Sequence, residues 1–150
     1  MSRPNRSQRC IPPTNLYPHR HPAMTEIYKD FRFEAAHRLP SVPAGHRCAR
    51  LHGHSFRCRV SVRGEVVEPQ GWVTDFAELK SAFAPLMELI DHSYLNEVPG
   101  LENPTAETIA RWIYERLQPR LPGLYSVEIA ETCTSGCIYR GRDQQQDNQI

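Results

Sequence analysis

Histidine side chains between positions 37 and 54 include the groups best suited to hold a metal ion. His52 and His54 are two residues apart, so their imidazoles project from the same face of an extended chain. His37 lies earlier, in its own strand-like run, and supplies a third imidazole. Zn²⁺ is bound by converging imidazoles, and a catalytic zinc site keeps one position for water or substrate. The spacing therefore predicts a zinc site at His37, His52 and His54.

Other reactive side chains have two interpretations each. Cys48, four residues before His52, is either a fourth ligand that closes a structural zinc site or a thiolate beside an open one. His92 follows Asp91 at the end of a predicted helix. Its imidazole either interacts with the helix dipole or accepts a proton from a thiol. Glu131 lies on an apolar strand face, where it pairs with an arginine or grips a ligand that presents two adjacent N–H donors.

Two strands are predicted to carry the histidines. Residues 31–39 alternate between apolar and polar side chains, with His37 on the apolar face, and residues 54–67 do the same with His54 on the apolar face. If these strands pair as antiparallel neighbours, both histidines meet on one side of the sheet. Cys58 is then a small core residue. The polar face carries an arginine ladder that is either solvated or lines a channel formed by oligomerisation: Arg57, Arg59 and Arg63.

Two helices and two further strands are predicted downstream. The first helix begins at a Thr74 or Asp75 cap, and Pro85 should kink or split it. The second helix follows a Thr105 cap and ends at Pro119. The two strands cover residues 124–133 and 137–140. This ββααββ order indicates an α+β fold.

Composition limits the classes of function. The 150 residues are enough for one domain with a real core, and no apolar run approaches the ~20 residues of a membrane span. Residues 1–23 hold four of the 18 basic residues and no acid, which leaves 14 basic against 17 acidic residues, a charge of −3, in the remainder. We therefore expect neither nucleic acid nor a membrane as partner of the folded part. Five cysteines without a signal-peptide pattern indicate reduced thiols and a cytoplasmic location.

Both ends of the chain are expected to lie outside the folded domain of residues 24–141. Residues 1–23 form a basic, Pro-rich arm that we expect to be disordered, with contact to RNA as the functional alternative. Met24 is an alternative start of the protein. Residues 142–150 form a polar tail, also expected to be disordered.

Several spaced motifs together resemble a known family over about residues 26–141. They are Phe33-Glu34-Ala35-Ala36-His37, Cys48-x-x-x-His52-Gly53-His54, Asp91-His92-x-x-Leu95-Asn96, Asn103-Pro104-Thr105 and Glu131-Thr132. The pattern is similar to that of the 6-pyruvoyltetrahydropterin synthase family, and within it to the bacterial 6-carboxytetrahydropterin synthases of queuosine and deazapurine biosynthesis.

The resemblance implies a tunnelling fold (T-fold). Its subunit is a four-stranded antiparallel sheet with two helices on one face, and subunits assemble into a barrel-like trimer, often a hexamer of two trimers, with the site at or near a subunit interface. It implies zinc on the three histidines. The implied catalytic residues are Cys48 as acid/base, Asp91 and His92 assisting it, and Glu131. Glu131 also anchors the pterin ring, with backbone contacts from Thr105 and Ala106.

The implied reaction converts 7,8-dihydroneopterin triphosphate to 6-carboxy-5,6,7,8-tetrahydropterin, acetaldehyde and triphosphate. Three residues separate Cys48 from His52, a spacing that resembles the carboxy-forming enzymes of the family. Formation of 6-pyruvoyltetrahydropterin is the enzymatic alternative. A non-catalytic zinc module and a hydrolase that uses metal-bound hydroxide are the alternatives outside the family.

Overall fold

The computed structural model describes residues 23–142. The predicted arm of residues 1–23 and polar tail of residues 142–150 lie, apart from one residue each, outside the described residues. In order, the elements are β1 (Thr25–His37), β2 (His52–Gly64), α1 (Phe76–Ile90), β3 (Ser93–Tyr94), α2 (Ala106–Leu117), β4 (Leu124–Ala130) and β5 (Gly136–Tyr139). Short 3-10 helices cover Arg47–Ala49 and Leu95–Glu97.

The sheet has the strand order β3-β1-β2-β4-β5. Strands β1 and β2 pair antiparallel along their whole length, from Thr25 opposite Gly64 to His37 opposite His52. Strands β4 and β5 continue the sheet in antiparallel fashion. The prediction of four antiparallel strands is incomplete, because β3 adds a fifth strand that runs parallel to β1 at Ala35 and Ala36. The short strand forms where the chain leaves α1 and lies along the edge of β1.

One face of the sheet forms the core with the two helices. The predicted apolar alternation is confirmed, since Phe33, Phe56 and Cys58 are at most 1% exposed. Helix α2 packs over β4 and β5, while α1 packs over β1. The predicted apolar stripe of α2 is buried: Ile109, Trp112, Ile113 and Leu117.

The opposite face carries the arginine ladder in ion pairs with acidic side chains. Arg59 donates two hydrogen bonds to the Asp30 carboxylate, of 2.7 and 2.9 Å. Arg57 contacts Glu128 at 2.6 Å, and Arg63 contacts Glu26 at 3.2 Å. In the described chain the ladder is therefore balanced by acids of β1 and β4.

The helix caps follow the sequence, whereas several ends of elements shift. Asp75 caps α1 through Ala77 N, and Thr105 caps α2 through Thr108 N. Of the two alternatives predicted for Pro85, splitting of α1 is wrong, because the helix is continuous, and the kink stays a prediction. The carbonyl that loses its donor to Pro85 belongs to exposed Ser81. Strand β1 begins at residue 25 instead of 31 and ends at 37 instead of 39.

Strands β2, β4 and β5 also differ at their ends from the prediction. Strand β2 covers residues 52–64 instead of 54–67, because its pairing with β1 extends to His52. Strand β4 stops at Ala130 instead of Cys133, since hydroxyl hydrogen bonds from Thr132 to Thr134 and Ser135 close a turn. Strand β5 begins at Gly136, one residue earlier than predicted.

Candidate metal centre and active site

Three histidines converge at the end of the β1–β2 pair. His37 lies directly opposite His52, and His54 lies opposite Ala35, so all three side chains are on the helix-covered face of the sheet. The ring centroids of His37 and His52 are 4.5 Å apart, and those of His52 and His54 are 5.0 Å apart. One ligand nitrogen from each ring lies within 4.8 Å of the others. The predicted convergence of the three imidazoles is confirmed.

Backbone carbonyls fix the ring orientation of two of these histidines. The His37 Nδ1 lies 2.9 Å from the Pro104 carbonyl oxygen, and the His52 Nδ1 lies 2.7 Å from the Arg50 carbonyl oxygen. A carbonyl only accepts hydrogen bonds, so both Nδ1 atoms carry the proton. Each Nε2 then keeps its lone pair. Donation of the other ring N–H to a carbonyl is the usual arrangement around metal-binding histidines.

Burial makes the His37 ring a strong candidate ligand. Its side chain is 1% exposed, and its Nε2 is the one buried side-chain N or O atom without a hydrogen-bond partner in the part of the chain that the structure describes. Burial lowers the pKa of His37, partly offset by the hydrogen bond to Pro104, so the neutral ring is favoured. An uncompensated buried acceptor costs roughly 1–3 kcal/mol. A metal ion on Nε2 would remove this cost.

The donor set fits Zn²⁺ and the triad leaves room for a further ligand. Neutral imidazoles suit zinc among several divalent metals, and three protein ligands are typical of catalytic zinc sites. Phe56 forms an apolar wall behind two of the ligands, with its ring centroid 5.5 Å from that of His37 and 5.4 Å from that of His54.

Cys48 lies near the triad in sequence but outside the ligand cluster. Within the described residues, the group whose donor atoms converge consists of the three histidines and does not include Cys48. The cysteine sits in the short 3-10 helix, half-buried, where its N–H donates to His46 Nδ1 at 3.1 Å. Its carbonyl accepts from Leu39 N at 2.8 Å. In the described chain, Cys48 is therefore not a fourth member of the converging ligand group.

Asp91 and His92 are held against the edge of β1 next to the triad. The Asp91 carboxylate accepts from Glu34 N at 2.9 Å, and His92 N donates to the Glu34 carbonyl at 2.6 Å. His92 has a φ of 54°, a left-handed conformation that is uncommon for a residue with a side chain. Its Nδ1 lies 3.0 Å from the second Asp91 oxygen, which leaves Nε2 exposed to solvent. The imidazole is thus oriented by the neighbouring carboxylate.

These contacts also set the charge of Asp91. The Glu34 N–H, and after it the His92 side chain, hold the pKa of Asp91 below its ordinary value. His92 and His54 line the same open cleft, of about 560 Å³. The small residues Ala36 and Gly53, which are opposite each other on β1 and β2, provide its floor. By the strand period of two, Ala36 and Gly53 face away from the triad, so this cleft opens on the face of the sheet opposite the three imidazoles.

A second cavity collects the three residues expected to contact the substrate. It has a volume of about 250 Å³, and Glu131, Thr105 and Ala106 all line it. Glu131 lies directly after β4, half-buried, and no arginine forms an ion pair with it within residues 23–142. Its carboxylate also favours protonation of His37 electrostatically, opposing the effect of burial. Within the described residues, the interpretation of Glu131 as an arginine partner is therefore not supported.

Comparison with known proteins identifies the family. Residues 26–142 match the family described as 6-pyruvoyl tetrahydropterin synthase. The chain belongs to this family. A 6-carboxy-5,6,7,8-tetrahydropterin synthase of Synechocystis sp. is 50% identical over 119 residues, covering 75% of this chain and 91% of that protein. Its Bacillus subtilis counterpart is 32% identical over 137 residues, covering 85% and 93%.

A solved structure of the 6-pyruvoyl tetrahydropterin synthase of Caenorhabditis elegans has the same fold. It aligns with a TM-score of 0.73 at 27% identity, covering 81% of this chain and 98% of that one. The predictions of an α+β fold and of membership in this enzyme family are confirmed. In the described residues, no helix is both long and apolar enough to cross a bilayer.

Sequence reasoning missed the groups that orient the site of this family member. The carbonyls of Arg50 and Pro104, which accept from the histidine rings, have no side-chain signal in the sequence. The acceptor ring of His46 lies two residues before Cys48, a spacing that suits a local side-chain cap. Cys137 also lines the Glu131 cavity, although its pattern indicated only a strand.

Proposed function

We propose that the chain is a zinc-dependent lyase that converts 7,8-dihydroneopterin triphosphate to 6-carboxy-5,6,7,8-tetrahydropterin, acetaldehyde and triphosphate. The observation that carries the proposal is the convergence of three imidazoles around the buried, unpartnered Nε2 of His37. The two relatives named 6-carboxy-5,6,7,8-tetrahydropterin synthase support this product.

His37, His52 and His54 would hold the Zn²⁺. When bound, the ion supplies a positive charge that lowers the pKa of hydroxyl groups on the substrate side chain. The Nδ1–H bonds to Pro104 and Arg50 fix the tautomer and the orientation of two of the rings, so that Nε2 is the atom left for ligation.

Cys48, Asp91 and His92 would move protons at the pterin side chain. Cys48 would act as the acid/base, because a cysteine side chain can both give up and take back a proton. His92 accepts and returns the proton through its exposed Nε2, while Asp91 holds Nδ1 and stabilises the imidazolium. The carboxylate, anchored on Glu34 N, keeps its charge well below neutral pH.

Glu131 would bind the pterin ring. The amino group and adjacent ring N–H of a pterin form an edge with two donors, which one carboxylate accepts through two parallel hydrogen bonds. Thr105 and Ala106, at the start of α2, line the same cavity and would contribute backbone contacts. By holding the pterin ring, Glu131 would keep the carbons of the substrate side chain within reach of the proton-transfer groups, and this is its proposed catalytic contribution.

The working form is proposed to be a homo-trimer or homo-hexamer in the cytoplasm, serving queuosine (7-deazapurine) biosynthesis. The sheet offers two edges for association in the described chain, since β3 covers only Ala35 and Ala36 of β1 and β5 ends the other side. Association of the sheets through these edges would form a barrel, with the arginine ladder on its inner face and the site completed near a subunit interface. Native mass spectrometry measures the assembly directly.

The test of function is product analysis. Zinc-loaded protein is incubated with 7,8-dihydroneopterin triphosphate, and the pterin and aldehyde are identified by mass. Acetaldehyde with 6-carboxytetrahydropterin supports the proposal. 6-Pyruvoyltetrahydropterin without acetaldehyde would instead assign triphosphate elimination alone.

Cys48→Ala separates the remaining classes. The proposal expects full zinc content and a turnover rate reduced by at least about 10²-fold, the usual contribution of a positioned acid/base. Loss of zinc would support the non-catalytic zinc module. Unchanged turnover would support a hydrolase that uses metal-bound hydroxide.

Glu131→Gln tests recognition of the pterin, with Glu107→Gln as matched control. Both glutamates line the same cavity, and both changes remove one charge with little change of shape. We expect weaker substrate binding in the Glu131 variant alone, with zinc content unchanged in both. Equal substrate affinities in the two variants would contradict the assignment.

A further inference from the structure

Asn96 uses its whole carboxamide in hydrogen bonds. Its Oδ1 accepts from Arg38 N at 3.0 Å, and its Nδ2 donates to the Arg38 carbonyl at 2.8 Å and to the Glu102 carbonyl at 3.2 Å. One acceptor and two donors are the groups that an asparagine side chain offers here, which also fixes the orientation of the amide. The residue lies in the short 3-10 helix after β3, anchored by the fully buried Leu95 beside it.

Two of these bonds extend the sheet beyond its last backbone pair. Strand β3 pairs with β1 at Ala35 and Ala36 and then ends. The Asn96 amide next bonds both the N–H and the C=O of Arg38, as a neighbouring strand would. The end of β1 is therefore held on its outer edge by a side chain.

The third bond ties this strand end to the loop before α2. The Glu102 carbonyl lies two residues before Pro104, whose own carbonyl accepts from His37 Nδ1. Arg38, in turn, follows His37. Asn96 thus joins the residue after His37 to the residue two positions before Pro104, the two partners of the buried hydrogen bond.

We propose that Asn96 is a positioning residue for the metal ligand His37. By fixing Arg38 and Glu102 relative to each other, it sets the distance between the His37 ring and the Pro104 carbonyl, and so aims Nε2 at the ion. The inference rests on the proposed metal centre and not on the pterin reaction. Aspartate cannot replace Asn96, because an ionised carboxylate donates no hydrogen bond and would face two carbonyl oxygens.

Asn96→Asp is compared with Asn103→Asp. Asn103 lies in the same loop and uses its Oδ1 to accept from Ser41 N, a role that aspartate keeps. Both variants add one negative charge. Zinc affinity is measured on the full chain by chelator competition at 25 °C, and the Tm of each metal-free protein is recorded.

Losing the direct outer-shell partner of a metal ligand usually lowers metal affinity by about 10- to 100-fold, and Asn96 acts one contact further out. We therefore expect zinc affinity to fall by about tenfold in N96D, the lower end of that range, and to stay at the wild-type value in N103D. Asn96→Ala, which deletes the amide without adding charge, should weaken zinc binding in the same direction. It also keeps the test readable if N96D fails to fold.

NMR of the zinc-loaded proteins reports on the ligand itself. The Nδ1–H resonance of His37 should move or broaden in the Asn96 variants, whereas that of His52, bonded to Arg50, should stay in place. A merely structural loss of stability would lower Tm without singling out one histidine.

Wild-type zinc affinity together with an unmoved His37 resonance in the Asn96 variants would overturn the proposal, as would equal losses in N96D and N103D. Neither readout uses substrate. If the wild-type protein binds zinc but yields no pterin product, the proposed reaction is refuted. The role of Asn96 is still tested by the zinc affinities and the His37 resonance.

Discussion

Replacement of Phe56 by leucine should weaken metal binding as well as stability. The Phe56 ring is fully buried, stacks on Phe33 at 4.9 Å, and meets the rings of His37 and His54 edge-on. The stacked pair contributes about 0.5–1.5 kcal/mol beyond burial. With the small cavity left by leucine, we expect unfolding of the metal-free protein to become easier by about 1–3 kcal/mol.

The effect on metal binding follows from the freedom gained by the His54 imidazole, because the Pro104 carbonyl still holds the His37 ring. Without the Phe56 ring, metal binding must immobilise the His54 ring, at a cost of about 0.5–1.5 kcal/mol. Since 1.4 kcal/mol is tenfold, we expect zinc affinity to fall by about two- to tenfold. Chelator competition measures the affinity. Urea unfolding at one fixed protein concentration measures stability, because an oligomer would make stability concentration-dependent.

Phe83→Leu is the matched control. Phe83 is 1% exposed and stacks on Phe31 at 4.0 Å, on the same core face but without a ring contact to the triad in the described chain. It should lose similar stability and keep its zinc affinity. If Phe56→Leu also binds zinc as tightly as wild type, the idea that Phe56 restrains the ligands is refuted.

Two further changes probe the arginine face and the Cys48 turn. Asp30→Asn should lower the free energy of unfolding by about 0.5–1 kcal/mol at pH 7, since the Asp30–Arg59 pair is partly exposed. The hydrogen bond from Arg59 holds the pKa of Asp30 below its usual value, so the stability from this pair should be present above about pH 4 and fade as pH falls further. Urea unfolding at several pH values would measure this. His46→Ala removes the cap on Cys48 N and should destabilise the closed turn by about 1 kcal/mol, which would raise the alkylation rate of Cys48 about fivefold. His46→Asn keeps a capping acceptor and should leave that rate unchanged. Peptide mapping against exposed Cys133 provides the internal reference, and equal rates in both variants would contradict the capping role.

The part of the site that follows from strand periodicity could be predicted from the sequence. His37 and His54 interrupt apolar faces, and a period of two places His52 beside them once β1 and β2 pair. The cap at Thr105 and the buried stripe of α2 follow from local rules in the same way. These are statements about neighbours within one element or one strand pair.

What the sequence could not supply depends on contacts between distant segments. Strand β3 is two residues long and exists because Glu34 binds both Asp91 and His92 across the sheet edge, 57 residues away in the case of Asp91. Two residues carry no periodicity. The end of β4 depended on hydroxyl bonds within the following turn, which compete with continued strand pairing.

The acceptors of the histidine N–H groups couple the metal centre to its surroundings. Arg50 belongs to the segment that carries Cys48, and Pro104 directly precedes Thr105 in the wall of the Glu131 cavity. The orientation of each of these two ligand rings is therefore coupled to the position of a loop that carries a proposed catalytic or substrate-contacting group. Because a carbonyl cannot donate, these bonds hold only while Nδ1 keeps its proton, which is the tautomer that ligation through Nε2 also demands. Metal loading and ordering of both loops should consequently favour each other, and hydrogen exchange at residues 46–51 and 101–106 should slow together when zinc is added.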